Sequence, residues 1–439
     1  DALPILGYAN NAVTPAPGYL DCLKPDYSGY HHRGVYFNAY YPDALYSASL
    51  MCYFLSGTPF QLSEESYQHL KNALLTFGFV SAGYDVPGGA TGRFPQQTEV
   101  LDKLLPAFAY LALSRETPDA DLTAFFKKMW QPSLEPMLTH TSRVRSDITF
   151  KNTPGEVEMM LRLATSAVKI DDVKPAGQPI LSGIAGLPVN DAAPYSAVHP
   201  AAFLNSSGDF YGSAFLPFSG MLVTRSNKWL LSAKGFSKYI WDFESSSSEN
   251  LYGRYLSYGH TDLSMLTTGR RSYHPEHVDW NWSHLPGTTA KYLTKEQLSS
   301  LNSPESHRNF SDEPFLGGIA FDERSSVFAN YIHDNTFDKG FYARKSIVQF
   351  DSVFTFLGSG IKNSDRDNFV HTTLFQNLKA SSSDVLQVNG STATASQTAL
   401  AKPVIRDNYG NGYVVHDGLV DTGLSNNFLS AFINHGRVL

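Results

Sequence analysis

Residues 97–115 read Gln97-Thr98-Glu99-Val100-Leu101-Asp102-Lys103-Leu104-Leu105-Pro106-Ala107-Phe108-Ala109-Tyr110-Leu111-Ala112-Leu113-Ser114-Arg115. Val100, Leu101, Leu104, Leu105, Phe108 and Leu111 recur at three- and four-residue spacing, which gathers them on one face of a helix. Four other stretches keep the same period: Tyr41–Ser56, Ser63–Ser81, Asp119–Met137 and Pro154–Val168. The breaks between them carry helix punctuation. Thr58-Pro59 ends one, Ser63 with Ser66 and the glutamates between them opens the next, and Pro118-Asp119 separates another pair. Consecutive helices joined by short breaks predict helical hairpins, stacked as an α/α toroid or solenoid. Five are few for a closed toroid, so more helices are expected upstream of Asp1.

The period changes further along. Residues 183–207 are rich in Pro, Asn, Ser and Ala without periodicity, which predicts a linker. Beyond it, Phe210–Thr224, Trp229–Ala233, Ser326–Ile332, Phe341–Phe350, Val353–Gly358, His371–Gln376 and Tyr413–His416 are short β-branched or aromatic runs between turn signals. Strands without intervening helices predict an antiparallel sandwich. The fold class is therefore α+β and multidomain: an α/α toroid over residues 1–182, a linker over 183–207, and an antiparallel β-sandwich over 208–439.

Composition narrows the function. At 439 residues the chain is long enough for two cores. A net charge of −7 argues against a nucleic-acid partner, and no apolar run is long enough for a membrane span. Two cysteines, Cys22 and Cys52, make neither a disulfide framework nor a metal signature. The aromatic content, 24 Tyr and 29 Phe, suits a β-rich core and also stacking against sugar rings.

The densest proton-transfer chemistry lies in Tyr30-His31-His32-Arg33-Gly34-Val35-Tyr36-Phe37-Asn38-Ala39-Tyr40-Tyr41-Pro42, read as a loop at a helix entrance. Imidazole titrates near neutral pH, and a nearby cation draws a phenol toward it. A glycine-rich loop, Val86–Pro95, carries Arg93. In the β half, the stretches 249–260, 279–289 and 310–318 mix glycine, aromatic and charged residues, and each also reads as a plain connection between strands.

Together these stretches resemble the polysaccharide lyase family that holds the chondroitin and hyaluronan lyases, most of all the broad-specificity chondroitin ABC lyases. The resemblance rests on the loop-then-helix layout from Asp26 to Pro59 and on Gly92-Arg93 with Pro95. It continues in Asn250–Gly259, in Asp279-Trp280-Asn281 with Gly287-Thr288-Thr289, in Ala343–Ser346, and in Thr372–Gln376. It implies a glycosaminoglycan lyase that cleaves chondroitin sulfate, dermatan sulfate and hyaluronan by β-elimination. It implies His32 as catalytic histidine, Arg254 as catalytic arginine and Glu313 as the glutamate completing the set. An ungapped match puts the family's tyrosine on Ala39, which weighs toward a lost tyrosine there; Tyr40 is the nearest phenol and the candidate acid-base group. His31, Arg93 and Trp282 are the substrate-binding candidates. No cofactor is required, a divalent cation is admitted, the partner is an acidic polysaccharide, and a secreted or periplasmic location is expected. Relatives carry more chain on both sides.

The chemistry fits the residues. Elimination removes the proton on C5 of a uronate and expels the oxygen on C4, so the site must neutralise the carboxylate, accept a proton and return one. Two other classes stay open. An α/α-toroid glycoside hydrolase needs two facing carboxylates, for which Asp26, Asp43, Asp85 and Glu99 are available. A noncatalytic glycan binder would follow if Ala39 marks a lost base.

Overall fold

The computed structural model describes residues 2–130, 141–145, 148–151, 154–167, 200–300, 307–308 and 310–437. Its helical half contains Tyr41–Leu55, Glu64–Val80, Leu101–Leu113, Ala120–Trp130 and Pro154–Ala164, preceded by a helix at Ala2–Ala12 that the sequence reading lacked. Ser63 caps its helix as the sequence implies, its hydroxyl accepting the Ser66 N–H at 3.1 Å. The Leu101–Leu113 helix is buried nearly all round rather than on one stripe, because neighbouring helices cover both its sides. The calls for 131–137, 168 and the linker up to 199 lie outside the described residues. Pro200–Phe203 is a single helical turn whose Phe203 stacks on Phe79 with ring centroids 4.9 Å apart.

Every strand pair among the described residues in the β half is antiparallel. One sheet orders Arg270–Arg271, His260–Met265, Trp229–Lys234, Met221–Arg225 and Gly212–Leu216. A second is the meander Leu316–Ala320, Ser325–Asp334, Asp338–Phe350 and Val353–Asn363. Phe215, Leu222 and Ala233 of the first meet Leu316, Phe328 and Ile347 of the second, which makes the pair a sandwich. A third sheet runs Thr289–Lys291, Val370–Leu378, Phe428–Asn434, Leu419–Leu424 and Leu400–Ala401. Burial alternates along Ser325–Asp334, with Ser326, Phe328, Asn330 and Ile332 inward. The single run expected at Phe210–Thr224 is instead a hairpin that turns at Pro217–Gly220, since Gly220 supplies a positive φ there.

The two halves share one core. Phe203, Phe210, Leu216, Met221 and Leu230 are buried in the same cluster as Phe77, Leu104, Phe108 and Phe126. Arg225, on the first sheet, reaches into the helical half and donates to the carbonyls of Gly78, Phe79 and Ser81 at 3.2, 2.8 and 2.9 Å. Arg225 thereby supplies a donor to carbonyls at the end of the Glu64–Val80 helix, where only Gly78 also receives the Ser81 N–H, at 3.3 Å. The seam between halves is thus a packed interface, and the residues along its rim are held rigidly.

Candidate active site

The segment read as a loop is a three-stranded antiparallel ribbon of Cys22–Leu23, Gly29–His31 and Gly34–Val35. His31 pairs with Gly34, so His32 and Arg33 are the two residues of its turn, with φ of 51° and 69°. Two positive φ values match the twist of the flanking strands, and histidine tolerates that region better than most side chains. Tyr40, just before the Tyr41–Leu55 helix, has φ 62° and ψ −54°, and the Tyr41 N–H returns to the Ala39 carbonyl at 2.6 Å. That is a γ-turn of the rare, strained hand centred on Tyr40. Such conformations cost on the order of 1–3 kcal/mol and persist only where the surroundings enforce them. The enforcement is visible: a Cβ on Gly29 would fall inside the Tyr41 ring, so that ring lies flat on the ribbon and fixes the start of the helix.

The side chains of this ribbon converge. The His31 ring lies 3.8 Å from His32 and 3.8 Å from Tyr40, centroid to centroid. His31 Nδ1 faces Asp21 Oδ2 at 3.1 Å, and His32 Nδ1 faces Glu244 Oε1 at 3.0 Å. A carboxylate at Nδ1 fixes the proton there and leaves Nε2 as the basic nitrogen. Burial, and then its neighbour His32, lower the affinity of His31 for a second proton, against the pull of Asp21. Arg93 donates from Nη2 to the Tyr40 hydroxyl at 3.1 Å, with Nε 3.0 Å from Glu249 and Nη1 3.6 Å from Glu244. The Tyr40 oxygen thus accepts a charge-assisted hydrogen bond. Gly92 places the guanidinium, since with φ 55° it brings the backbone where a Cβ would strike the Tyr36 ring.

Glu244 is the residue that sequence reasoning missed. Its side chain is only 2% exposed, and it receives His32, Arg93 and the Tyr36 hydroxyl together. Burial, followed by the Glu244 charge, holds Tyr36 far above the ordinary phenol range, so Tyr36 is a fixed donor rather than a base. The available signal was an acid closing the aromatic run Ile240-Trp241-Asp242-Phe243, where a buried carboxylate must find partners. Asn250 supports it by donating to the Glu244 carbonyl at 2.7 Å.

Three expected site residues are placed elsewhere. Arg254 is fully buried between the Phe337 and Phe243 rings, at 3.5 and 4.8 Å, with Nη1 3.6 Å from Asp334. The family resemblance named it as the catalytic arginine; here its guanidinium faces a buried carboxylate in an interior ion pair. Glu313 sits with Asp312 and His333, their ligand atoms within 4.8 Å of one another, and its carbonyl accepts the Lys238 N–H at 2.8 Å. A histidine with two carboxylates is a donor set for a divalent ion. Here His333 Nδ1 already holds Asp312 Oδ1 at 2.5 Å, a bond an ion would have to replace. Trp282 is buried in an aromatic core with Trp280, Tyr255 and Tyr258, so it offers no face to a sugar. His31, His32, Tyr40 and Arg93 do come together, and they do so where Glu244 and Glu249 of the β half meet the helical half.

Comparison with known proteins bears on the two halves of the chain. Residues 214–427 match the super-sandwich domain of polysaccharide lyase family 8, and residues 5–131 match a lyase catalytic domain. A chondroitin sulfate ABC exolyase of Bacteroides thetaiotaomicron is 28% identical over 82% of this chain and 33% of its own length. A chondroitin sulfate ABC endolyase of Proteus vulgaris is 26% identical over 93% of this chain and 35% of its own. The chain thus spans about a third of the length of these relatives. Among solved structures, a Paenibacillus xanthan lyase superposes with a TM-score of 0.70 at 16% identity, covering 99% of this chain and 40% of that one. On the two matched domains and the relatives that span most of it, the chain belongs to polysaccharide lyase family 8.

Proposed function

We propose that this chain carries the catalytic centre of a glycosaminoglycan lyase, which cleaves uronic-acid-containing chains such as chondroitin sulfate, dermatan sulfate and hyaluronan by β-elimination. The observation that carries the reading is Tyr40, a phenol on a strained turn between the Arg93 guanidinium and the His31 ring. With charge on its oxygen stabilised by Arg93, Tyr40 takes the C5 proton; once protonated it returns one to the departing C4 oxygen. His32, carrying a proton on Nε2 as well as the one that Nδ1 gives to Glu244, donates to the uronate carboxylate and spreads the charge that builds on it. Glu244 touches none of the reacting atoms in this scheme and positions His32 and Arg93. Ala39 is buried, so a tyrosine there would have to displace packed neighbours, whereas Tyr40 is half-buried beside His31 and Arg93.

Of the four carboxylates open to the hydrolase alternative, Asp43 and Glu99 are exposed and the other two are already engaged. Asp26 is buried and accepts Ser28 and Phe218, at 2.6 and 2.7 Å, while Asp85 is paired with Arg271 at 2.5 Å. Ultraviolet absorbance of products from chondroitin, dermatan and hyaluronan tests the proposal. Elimination leaves a conjugated double bond that absorbs; hydrated reducing ends without absorbance would mean a hydrolase, and retention without release a binder. No helix among the described residues is long and apolar enough to cross a membrane. A polymeric extracellular substrate extends the proposal to a secreted or periplasmic protein, checked by cell fractionation.

A further inference from the structure

Beside the His32–Arg33 turn, three segments distant in sequence bring aromatic rings together. The Tyr19 ring meets Phe310 edge to face with centroids 5.5 Å apart, and Phe310 meets Trp241 in the same way at 5.7 Å. Trp241 packs against the ribbon at Gly34, where an added Cβ would lie 3.0 Å from its ring. Trp241 is buried, while Tyr19 is 43% exposed, so Trp241 forms the wall and Tyr19 the open face. Arg33 is exposed at the tip of the turn, has no ion pair among the described residues, and lies close enough to Tyr19 to act on its hydroxyl, as does Tyr239.

We infer that this face is a sugar subsite outside the reacting centre, in which Tyr19 stacks on one hexose ring of the acidic chain, Phe310 braces Tyr19 and borders that ring, and Arg33 pairs with an anionic substituent of it. The inference rests on the proposed lyase reading. Continuity selects the occupant: Gly34 lies two residues from His32, and Trp241 three from Glu244, so a chain threaded past the reacting atoms continues over this surface. Chemistry selects it too. A hexose has an apolar face and a polar edge, which suits rings bordered by phenol hydroxyls, and a guanidinium suits carboxylate or sulfate through two parallel hydrogen bonds.

The test uses the full chain. Tyr19→Ala and Phe310→Ala are made in the Tyr40→Phe background, and binding of a chondroitin hexasaccharide and a disaccharide is measured by calorimetry. Hexasaccharide affinity should fall about five- to tenfold, with disaccharide affinity unchanged, as expected for loss of one stacking contact. Arg33→Asn, which keeps the left-handed turn, should flatten the salt dependence of hexasaccharide binding. In the otherwise unaltered chain, Tyr19→Ala should raise KM on polymer by a similar factor while kcat changes less than twofold. Affinity within twofold of the parent for both Tyr19→Ala and Phe310→Ala overturns the subsite. So does a shift in oligomeric state by light scattering without loss of glycan affinity, which would make the face an interface between copies. Tyr19-dependent binding by a chain that yields no unsaturated product would sink the lyase reading and leave the subsite standing.

Discussion

His31 and His32 lie with ring centroids 3.8 Å apart beside a left-handed turn, with side chains 25% and 34% exposed and a carboxylate on each Nδ1. His284 and His371 lie with ring centroids 5.2 Å apart in the third sheet and its flank, joined Nε2 to Nδ1 at 2.9 Å, with Phe432 against both rings. The second pair lacks a carboxylate within bonding distance among the described residues. Burial drives His284 down to about 3 and His371 down to about 4, so both stay neutral at working pH. The same residue type, set ring beside ring, faces solvent and a carboxylate in one place and is packing in the other. Access to solvent and a fixed counter-charge make the difference.

Two arginines repeat the contrast, and Arg254→Met should have the largest effect of any change considered. It takes the cation from the buried Asp334 carboxylate, which costs about 3–5 kcal/mol. Thermal unfolding should show the loss, with kcat on the remaining folded fraction close to that of the parent. A specific collapse of kcat at unchanged stability would return Arg254 to the reacting centre. Arg93→Met should do the reverse, lowering kcat by about 10²–10³ with little change in melting temperature, because it removes a donor aimed at developing charge. Loss of stability without loss of turnover would make Arg93 structural.

What the sequence could reveal follows from which forces act locally. The helices were legible because period, Ser63 and the prolines act within a few residues, and the strands because alternation does. The site was legible only where its chemistry is contiguous, in Tyr30–Pro42. Glu244 was not, since its role comes from partners more than two hundred positions away, at His32 and Tyr36. The ribbon was hidden because its turn uses His32 and Arg33 in place of the Asn-Gly or Gly-Gly that normally marks a two-residue hairpin. Arg93 and Arg254 both follow a glycine, and only burial in three dimensions separates them.

Ala39→Tyr sharpens the contrast between adjacent positions. It should give no gain in turnover and cost about 1–3 kcal/mol by overpacking; a gain would mean that Ala39 is a vacated catalytic position. The last contrast concerns pH. His284 and His371 bind protons near pH 6.5 when unfolded but only near 3 and 4 when folded. The unfolded state therefore holds more protons between those values, and stability should fall as pH drops from about 6.5 toward 4. His284→Asn should make that decline shallower in denaturant titrations at several pH values. An unchanged slope would show that the pair is not held neutral.

The account stands most directly on the rate of unsaturated product formation by Tyr40→Phe, read by ultraviolet absorbance on chondroitin beside the unaltered chain. Loss of the proton-transfer group should cut that rate by about 10²–10⁴ while calorimetric affinity for the glycan stays within a few-fold. Full activity in Tyr40→Phe, with Ala39 unchanged, would contradict the account and leave His31 or His32 as the proton acceptor.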